Sequence, residues 1–524
     1  MILMMTISLI ISVPAQNNDF VSNLLQSAYQ LLESGDIERA EKAYQFYKED
    51  SGRRDTTFEK KLREKKQGSS TPTTTHSDAE SYYNRAESLY ADGDYTAAVE
   101  WYRRAADLGH ADAQNSLGLC YEVGRGVDMD KQEAVRWYKK AAEQGERYAQ
   151  CNLGFCYEEG IGVSVDYYEA VKWYRKSALQ GHARAQNNLG DCYYYGNGVS
   201  QDYGTAMEWY RKAAEQGYAR AQTDLAHCYY YGQGTSTDYY EAVRWYKLAA
   251  EQGFARAQSM LGLCYEIGNG VYVDTSEAVR WYQRAAEQDY AVAQCNIGYC
   301  YYNAIGVPCD YSEAVYWYRK AASNGSARAK YLMGECYYYG NGVSQDYSTA
   351  VEWYRMAAED NYVAAQTDMG YCYYYGKGVT QDRREAVRWY QKAAYNNSAL
   401  AQYYLANCYY KGEGVTQDYY EAVRWYRKSA EQGNARSQNG LGECYYYGYG
   451  VTQDYYEAVR WYKLAAEQDN ADAQYSLGWC YEKGQGVTKN ITEAIKWYRK
   501  AVANGSSSAR EQLQALERQY DSAI

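Results

Sequence analysis

Apolar and small residues return along this chain at a fixed interval of 36 residues, and each interval reads the same way. In Ala435–Asn470, Leu441, Cys444, Tyr445 and Gly448 fall at helical spacing, with Ser437 one turn before Leu441. That stripe predicts a first helix. Gly448 and Gly450 end it, because a glycine just past the last turn takes the left-handed conformation without a Cβ penalty. Asp454 opens a second helix, where its carboxylate accepts from free first-turn N–H groups, and Glu457 three residues on gives the D-x-x-E spacing of a capping box. The spacing recurs at Asp130/Glu133, Asp166/Glu169, Asp238/Glu241, Asp274/Glu277, Asp310/Glu313, Asp382/Glu385 and Asp418/Glu421. Ala458, Trp461 or Tyr462, and Ala465 form the buried stripe of the second helix.

The unit recurs eleven times from Ala111 to Ser506 without insertion or deletion. A period of this length decides the fold: a lone helix pair cannot bury both stripes, and stacking on the next pair buries a continuous core. The residue after the Leu is Gly in nine copies and Ala at Ala226 and Ala406, so a tight helix–helix contact is expected there.

Composition narrows the picture. With 68 Tyr and 13 Trp against 5 Phe and 3 Pro, the core is built from Ala, Leu, Val, Tyr and Trp, and helices run unbroken. A net charge of −11 excludes general nucleic-acid binding. Eleven of the 14 cysteines, Cys120 to Cys480, hold one position of the unit. Equivalent positions of stacked helices lie about 8–10 Å apart, beyond the roughly 7 Å a disulfide spans. They therefore read as buried thiols. Cys151, Cys295 and Cys309 are extras.

The pattern A-x-A-Q-x-x-L-G-x-C-Y-x-x-G-x-G-V followed by D-Y-x-E-A-V-x-W-Y-x-K-A-A resembles the Sel1-like repeat family, a relative of the tetratricopeptide repeat. The resemblance implies an all-α, right-handed α/α superhelical solenoid of about twelve repeats whose first helices line a concave face. It also implies a non-catalytic scaffold or adaptor with a protein or peptide partner. Cysteine stands where the family more often has a larger apolar residue. A cysteine-rich branch with two cysteines per repeat is linked to penicillin binding and hydrolysis. That makes a β-lactam or cell-wall hydrolase the alternative, although this chain lacks the second cysteine and any S-x-x-K or K-T-G.

Outside the array, residues 1–15 (MILMMTISLIISVPA) are signal-peptide-like, too short to span a bilayer and without a preceding cation. Export conflicts with the many unpaired cysteines. Residues 19–50 resemble a tetratricopeptide-type hairpin, 51–77 a basic segment (Arg53, Arg54, Lys60, Lys61, Arg63, Lys65, Lys66) and a Ser/Thr-rich linker. Residues 78–110 form a shortened first repeat, and 507–524 a capping helix with a polar outer face. Four scattered histidines and no C-x-x-C or H-E-x-x-H leave no metal site, and no cofactor or catalytic residue is assigned.

What varies between copies is the candidate surface. The fifth, sixth and ninth positions vary most, and the twelfth and thirteenth are often Tyr. The expected partner site is a Tyr-lined groove of Tyr194, Tyr195, Tyr230, Tyr231, Tyr299, Tyr331, Tyr338, Tyr339, Tyr371, Tyr374, Tyr375, Tyr403, Tyr446, Tyr447 and Trp479. Arg184, Arg220, Arg256, Arg328 and Arg436 would form its rim. Tyrosine offers a large contact area at low rotamer cost. The competing reading is that these rings fill the ridge between units; a glycan platform is a third.

Overall fold

The computed structural model describes residues 18–51, 55–68 and 73–521. The signal-peptide-like stretch lies outside them. Among the described residues there are 28 helices and no strand, and none of the helices is long and apolar enough to cross a membrane. The chain divides into two compact units, 1–213 and 214–524.

The first unit begins with the hairpin Asn18–Ser34 and Ile37–Ser51, closed by Ala28, Leu32, Ala40 and Tyr44. A third helix, Thr56–Gly68, carries Lys60, Lys61, Arg63, Lys65 and Lys66 and docks on this hairpin through Phe58, while Arg53 and Arg54 lie outside the described residues. That ring is fully buried, stacked at 4.4 Å on Tyr44 and set edge-on to Tyr29 at 5.0 Å. One aromatic anchor thus holds a stretch whose charge alone suggests a solvated tail. The Ser/Thr-rich stretch supplies the first turn of Thr73–Ala91, which pairs with Tyr95–Asp107. Repeats one and two and nearly all of repeat three follow. The second unit holds repeats four to eleven and the final helix Ser507–Asp521, seated through Ala509, Leu513 and Leu516.

Each repeat folds as the pattern predicts. In repeat ten, Ala435–Tyr447 ends at Gly448 with φ 74°, and Tyr455–Ala466 follows. The second glycine of the turn answers to a different force. A Cβ on Gly162 would sit 2.1 Å from the Lys131 carbonyl oxygen of the preceding repeat, so the turn presses directly on its neighbour's second helix.

The capping box forms only in half. Asp130 Oδ1 accepts from the N–H groups of Gln132 and Glu133, both at 3.0 Å. Its own N–H, which the glutamate of a box would take, already donates to the Tyr121 carbonyl at 2.9 Å. Glu133 therefore turns outward to Arg136, 2.9 Å away. The same division recurs at Asp166 and at Asp418.

One feature holds the two helices of a pair together and another ties successive pairs. The glycine after the Leu lies against the fully buried Tyr of the second helix: a Cβ on Gly118 would fall 2.7 Å from the Tyr138 ring. The Gln of A-x-A-Q is buried and bonded twice. Gln402 Nε2 donates to the Ala394 carbonyl at 3.1 Å, and its Oε1 accepts from Gln432 Nε2 at 2.7 Å. Repeat seven replaces this amide pair by a charged one, Lys330 Nζ to Asp360 at 2.6 Å. Because Gln402→Leu strands a buried carbonyl and a neighbouring amide, it is expected to cost about 2–3 kcal/mol, read by urea unfolding of the full chain; an unchanged midpoint would show the ladder to be dispensable.

All eleven aligned thiols are buried and free, and Cys309 is exposed. Burial pushes Cys264 up to about 12, which leaves it an inert apolar side chain.

Candidate functional site

The twelfth-position tyrosines lie between repeats. Tyr230 is buried, and Tyr194, Tyr338, Tyr374 and Tyr446 are half-buried. Their rings meet the first residue of the second helix edge-on, as Tyr230 meets Tyr239 at 5.1 Å and Tyr338 meets Tyr347 at 4.9 Å. Several hydroxyls reach into the next repeat: Tyr230 accepts from Asn269 at 3.0 Å, and Tyr374 and Tyr446 donate to Glu413 and Gln485.

The thirteenth-position tyrosines point to solvent. Tyr195, Tyr231, Tyr339, Tyr375 and Tyr447 are 52–66% exposed, each leaning edge-on against its twelfth-position neighbour. Between these levels sit the half-buried rings of the fifth and ninth positions. Tyr331 lies 5.7 Å from Tyr354, Tyr371 lies 4.5 Å from Tyr375, and Tyr403 lies 5.4 Å from Tyr404. Tyr475 packs 5.7 Å from Tyr498, and Trp479 Nε1 donates to Tyr446 at 3.0 Å.

Several second-position arginines reach over the preceding repeat. Arg184 covers the Phe155 ring at 5.3 Å, and Arg328 covers Tyr299 at 5.4 Å while donating to Asn296 at 3.1 Å. Arg256 pairs with Asp224 at 2.8 Å, and Arg220 reaches the same carboxylate at 3.8 Å. Arg436 is exposed near Tyr404.

Much of the variation at the ninth position has an internal cause. The buried second-helix Tyr needs an acceptor for its hydroxyl. Where the twelfth position is Glu it provides one: Tyr138 donates to Glu122 at 2.5 Å, Tyr174 to Glu158 at 2.6 Å, Tyr282 to Glu266 at 2.6 Å and Tyr498 to Glu482 at 2.9 Å. In these repeats the ninth position is Leu119, Phe155, Leu263 or Trp479. In repeats three, seven and nine the twelfth is Tyr, and a polar ninth residue takes the bond. Tyr210 donates to Asp191 and Tyr426 to Asn407, both at 2.7 Å, and Tyr354 donates to Glu335. Repeats four, six and eight carry His227, Tyr299 and Tyr371 instead, and there the hydroxyls of Tyr246, Tyr318 and Tyr390 are buried without a partner.

Two side chains outside the expected set stand out on this face. Glu335 and Asp368 approach each other from adjacent first helices, Ala327–Tyr339 and Val363–Tyr375. Burial raises both carboxyls, Asp368 to about 7, with the Glu335 charge adding to its shift. Tyr331 bonds to Asp368, Tyr354 donates to Glu335, and Tyr339 lies near both carboxyls and near Tyr371. The sequence signal is an acid at the sixth position of repeat eight.

Sequence comparison matches the Sel1 repeat eleven times without a gap, from 111–146 to 471–506, and a tetratricopeptide repeat over 75–113. A protective antigen of uropathogenic Escherichia coli with the SLR fold is 33% identical, over 80% of this chain and 94% of its own, at a TM-score of 0.56. A Sel1 repeat protein from Oxalobacter formigenes is 32% identical over 59% of this chain and 90% of its own, at a TM-score of 0.45. DAP3-binding cell death enhancer 1 of Rattus norvegicus is 53% identical over 38 residues, which is 7% of this chain. The match spans only 8% of that curated relative's length.

Proposed function

Because the chain belongs to the Sel1 repeat family, we propose that it works as a non-catalytic interaction scaffold. Its first-helix face would hold an extended peptide or the edge of a folded protein. Stacked helix pairs of this kind present one face of many similar helices, a surface on which single positions change without loss of the core. The observation that carries the reading is the row of thirteenth-position tyrosines. Packing does not require rings that stand more than half exposed, and aromatic residues presented this way are the usual anchors of an interface. The half-buried rings of the fifth and ninth positions would form the floor of the same surface.

The two tyrosine levels give the test its control. In a pull-down from the source organism, Tyr339, Tyr375 and Tyr447 changed together to Ala are expected to lose specific partners at unchanged helicity by circular dichroism. Truncating such anchors costs about 2 kcal/mol each, roughly thirtyfold in affinity. The matching change of Tyr338, Tyr374 and Tyr446 removes inter-repeat bonds and is expected to lower stability first. An identical partner set for the thirteenth-position variant would overturn the reading and leave these tyrosines as surface.

A further inference from the structure

We infer that the cluster at the seam of repeats seven and eight, made by Asp368, Glu335 and the rings of Tyr331, Tyr339 and Tyr371, receives an arginine side chain of the partner peptide. The inference rests on the scaffold reading and names the chemistry of one contact within it.

The chain itself carries the template. Every arginine at the second position of a repeat follows a polar residue at the sixth position of the repeat before: Asn152 and Arg184, Asn188 and Arg220, Asp224 and Arg256, Asn296 and Arg328, Tyr404 and Arg436. Where the sixth position is apolar, as at Met260 and Leu332, the second position of the next repeat is Val292 or Ala364. The two sites touch, as the 2.8 Å bond of Arg256 to Asp224 and the 3.1 Å bond of Arg328 to Asn296 show.

Asp368 has no such arginine after it. It is the second aspartate at the sixth position, and the residue that should carry its guanidinium is Leu400. Leu400 is 40% exposed and offers the carboxylate no charge and no donor. Among the described residues neither Asp368 nor Glu335 has a cation partner; the groups that face Asp368 are Glu335 and the Tyr331 hydroxyl, and Glu335 accepts only from Tyr354. The other aspartate at a sixth position, Asp224, is answered within the chain by two arginines. The rings complete the fit. A guanidinium placed where Arg256 lies one template over would meet tyrosine faces as well as oxygens, and its planar fork suits both. The raised carboxyl of Asp368 is what an acid shows when its counter-charge is missing. An arriving cation would displace the proton, so capture should strengthen as pH rises through 7.

The probe is a fluorescein-labelled (Gly-Arg)₄ peptide, with the neutral citrulline isostere beside it, followed by anisotropy at about 0.15 M salt. The full chain is expected to prefer arginine by about tenfold, the scale of a charge-assisted contact backed by a cation–π contact. Asp368→Asn should lose that preference. Leu400→Arg should lose it too, by supplying the missing guanidinium from within. Glu352→Gln, an exposed change of equal charge on a second helix, should keep it. Equal binding of the two peptides, or a preference that survives Asp368→Asn, overturns the inference. In the pull-down, partners lost by the thirteenth-position tyrosine variant yet kept by Leu400→Arg would overturn the arginine site alone, whereas partners kept by both would overturn the scaffold surface itself.

Discussion

Gly334→Val is expected to destabilise the second unit by about 3 kcal/mol or more, the upper range for overpacking a filled core. A Cβ at this position would lie 2.5 Å from Cδ1 and Cε1 of Tyr354 and 3.2 Å from the Ala350 carbonyl oxygen. The ring has nowhere to go, because Tyr354 is buried and its hydroxyl is held by Glu335. The chain contains its own measure of what is tolerated. Ala226 and Ala406 occupy this position in repeats four and nine, opposite Tyr246 and Tyr426, so a single methyl is accommodated by a small shift of the helix pair. Valine adds two branches that no such shift clears. Gly334→Ala should therefore cost about 1 kcal/mol and valine several times that, both read by urea unfolding. Equal midpoints for the wild type and the valine variant would show that the helices can part at this contact. The same substitution disturbs Glu335, the next residue, so arginine preference should fall with stability.

This contact was legible in the sequence because smallness at one spot in every copy has few other causes. The helices and their glycine ends were legible for the same reason: repetition separates packing from accident. The capping box was misread in half, since the sequence shows Glu133 three residues after Asp130 but not that the Tyr121 carbonyl already occupies the cap N–H. Phe58 shows another limit. One apolar ring among many lysines carries little periodic signal, yet it docks a helix. The exchange between the ninth and twelfth positions was present in the residues throughout. It becomes readable only when Tyr138 and Tyr354 are seen to donate their hydroxyls to different acceptors. Part of the apparent freedom of the ninth position thus belongs to the core, and this shifts the weight of the candidate surface to the thirteenth-position rings and to the sixth position, where Asp368 has no arginine at the second position of the next repeat.

Asp368→Asn is expected to stabilise the protein at pH 8 while removing its arginine preference. The carboxyl lies at about 7 in the folded chain against an ordinary 3.8, because burial and the neighbouring Glu335 oppose its charge. The folded state therefore binds more protons than the unfolded state between these values, and stability falls as pH rises through that window. Below about pH 4 both states are protonated and the group costs nothing; above about pH 7 its full cost is present, at most about 4 kcal/mol and less wherever water reaches the carboxyl. Asparagine keeps the shape and an acceptor for Tyr331 without the charge. Wild type should lose stability between pH 5 and pH 8, and the difference between wild type and variant should grow over the same range, with the variant the more stable at pH 8. Comparing the two chains removes the parallel shift of Glu443 and the opposite one of His182, which burial lowers to about 4. A variant no more stable than wild type at pH 8 would mean the carboxylate is already compensated, and the cluster would then lack the unmet charge that an incoming guanidinium answers. A more stable variant that has lost its preference would identify Asp368 as a residue whose cost to the fold is offset only when the partner's cation arrives.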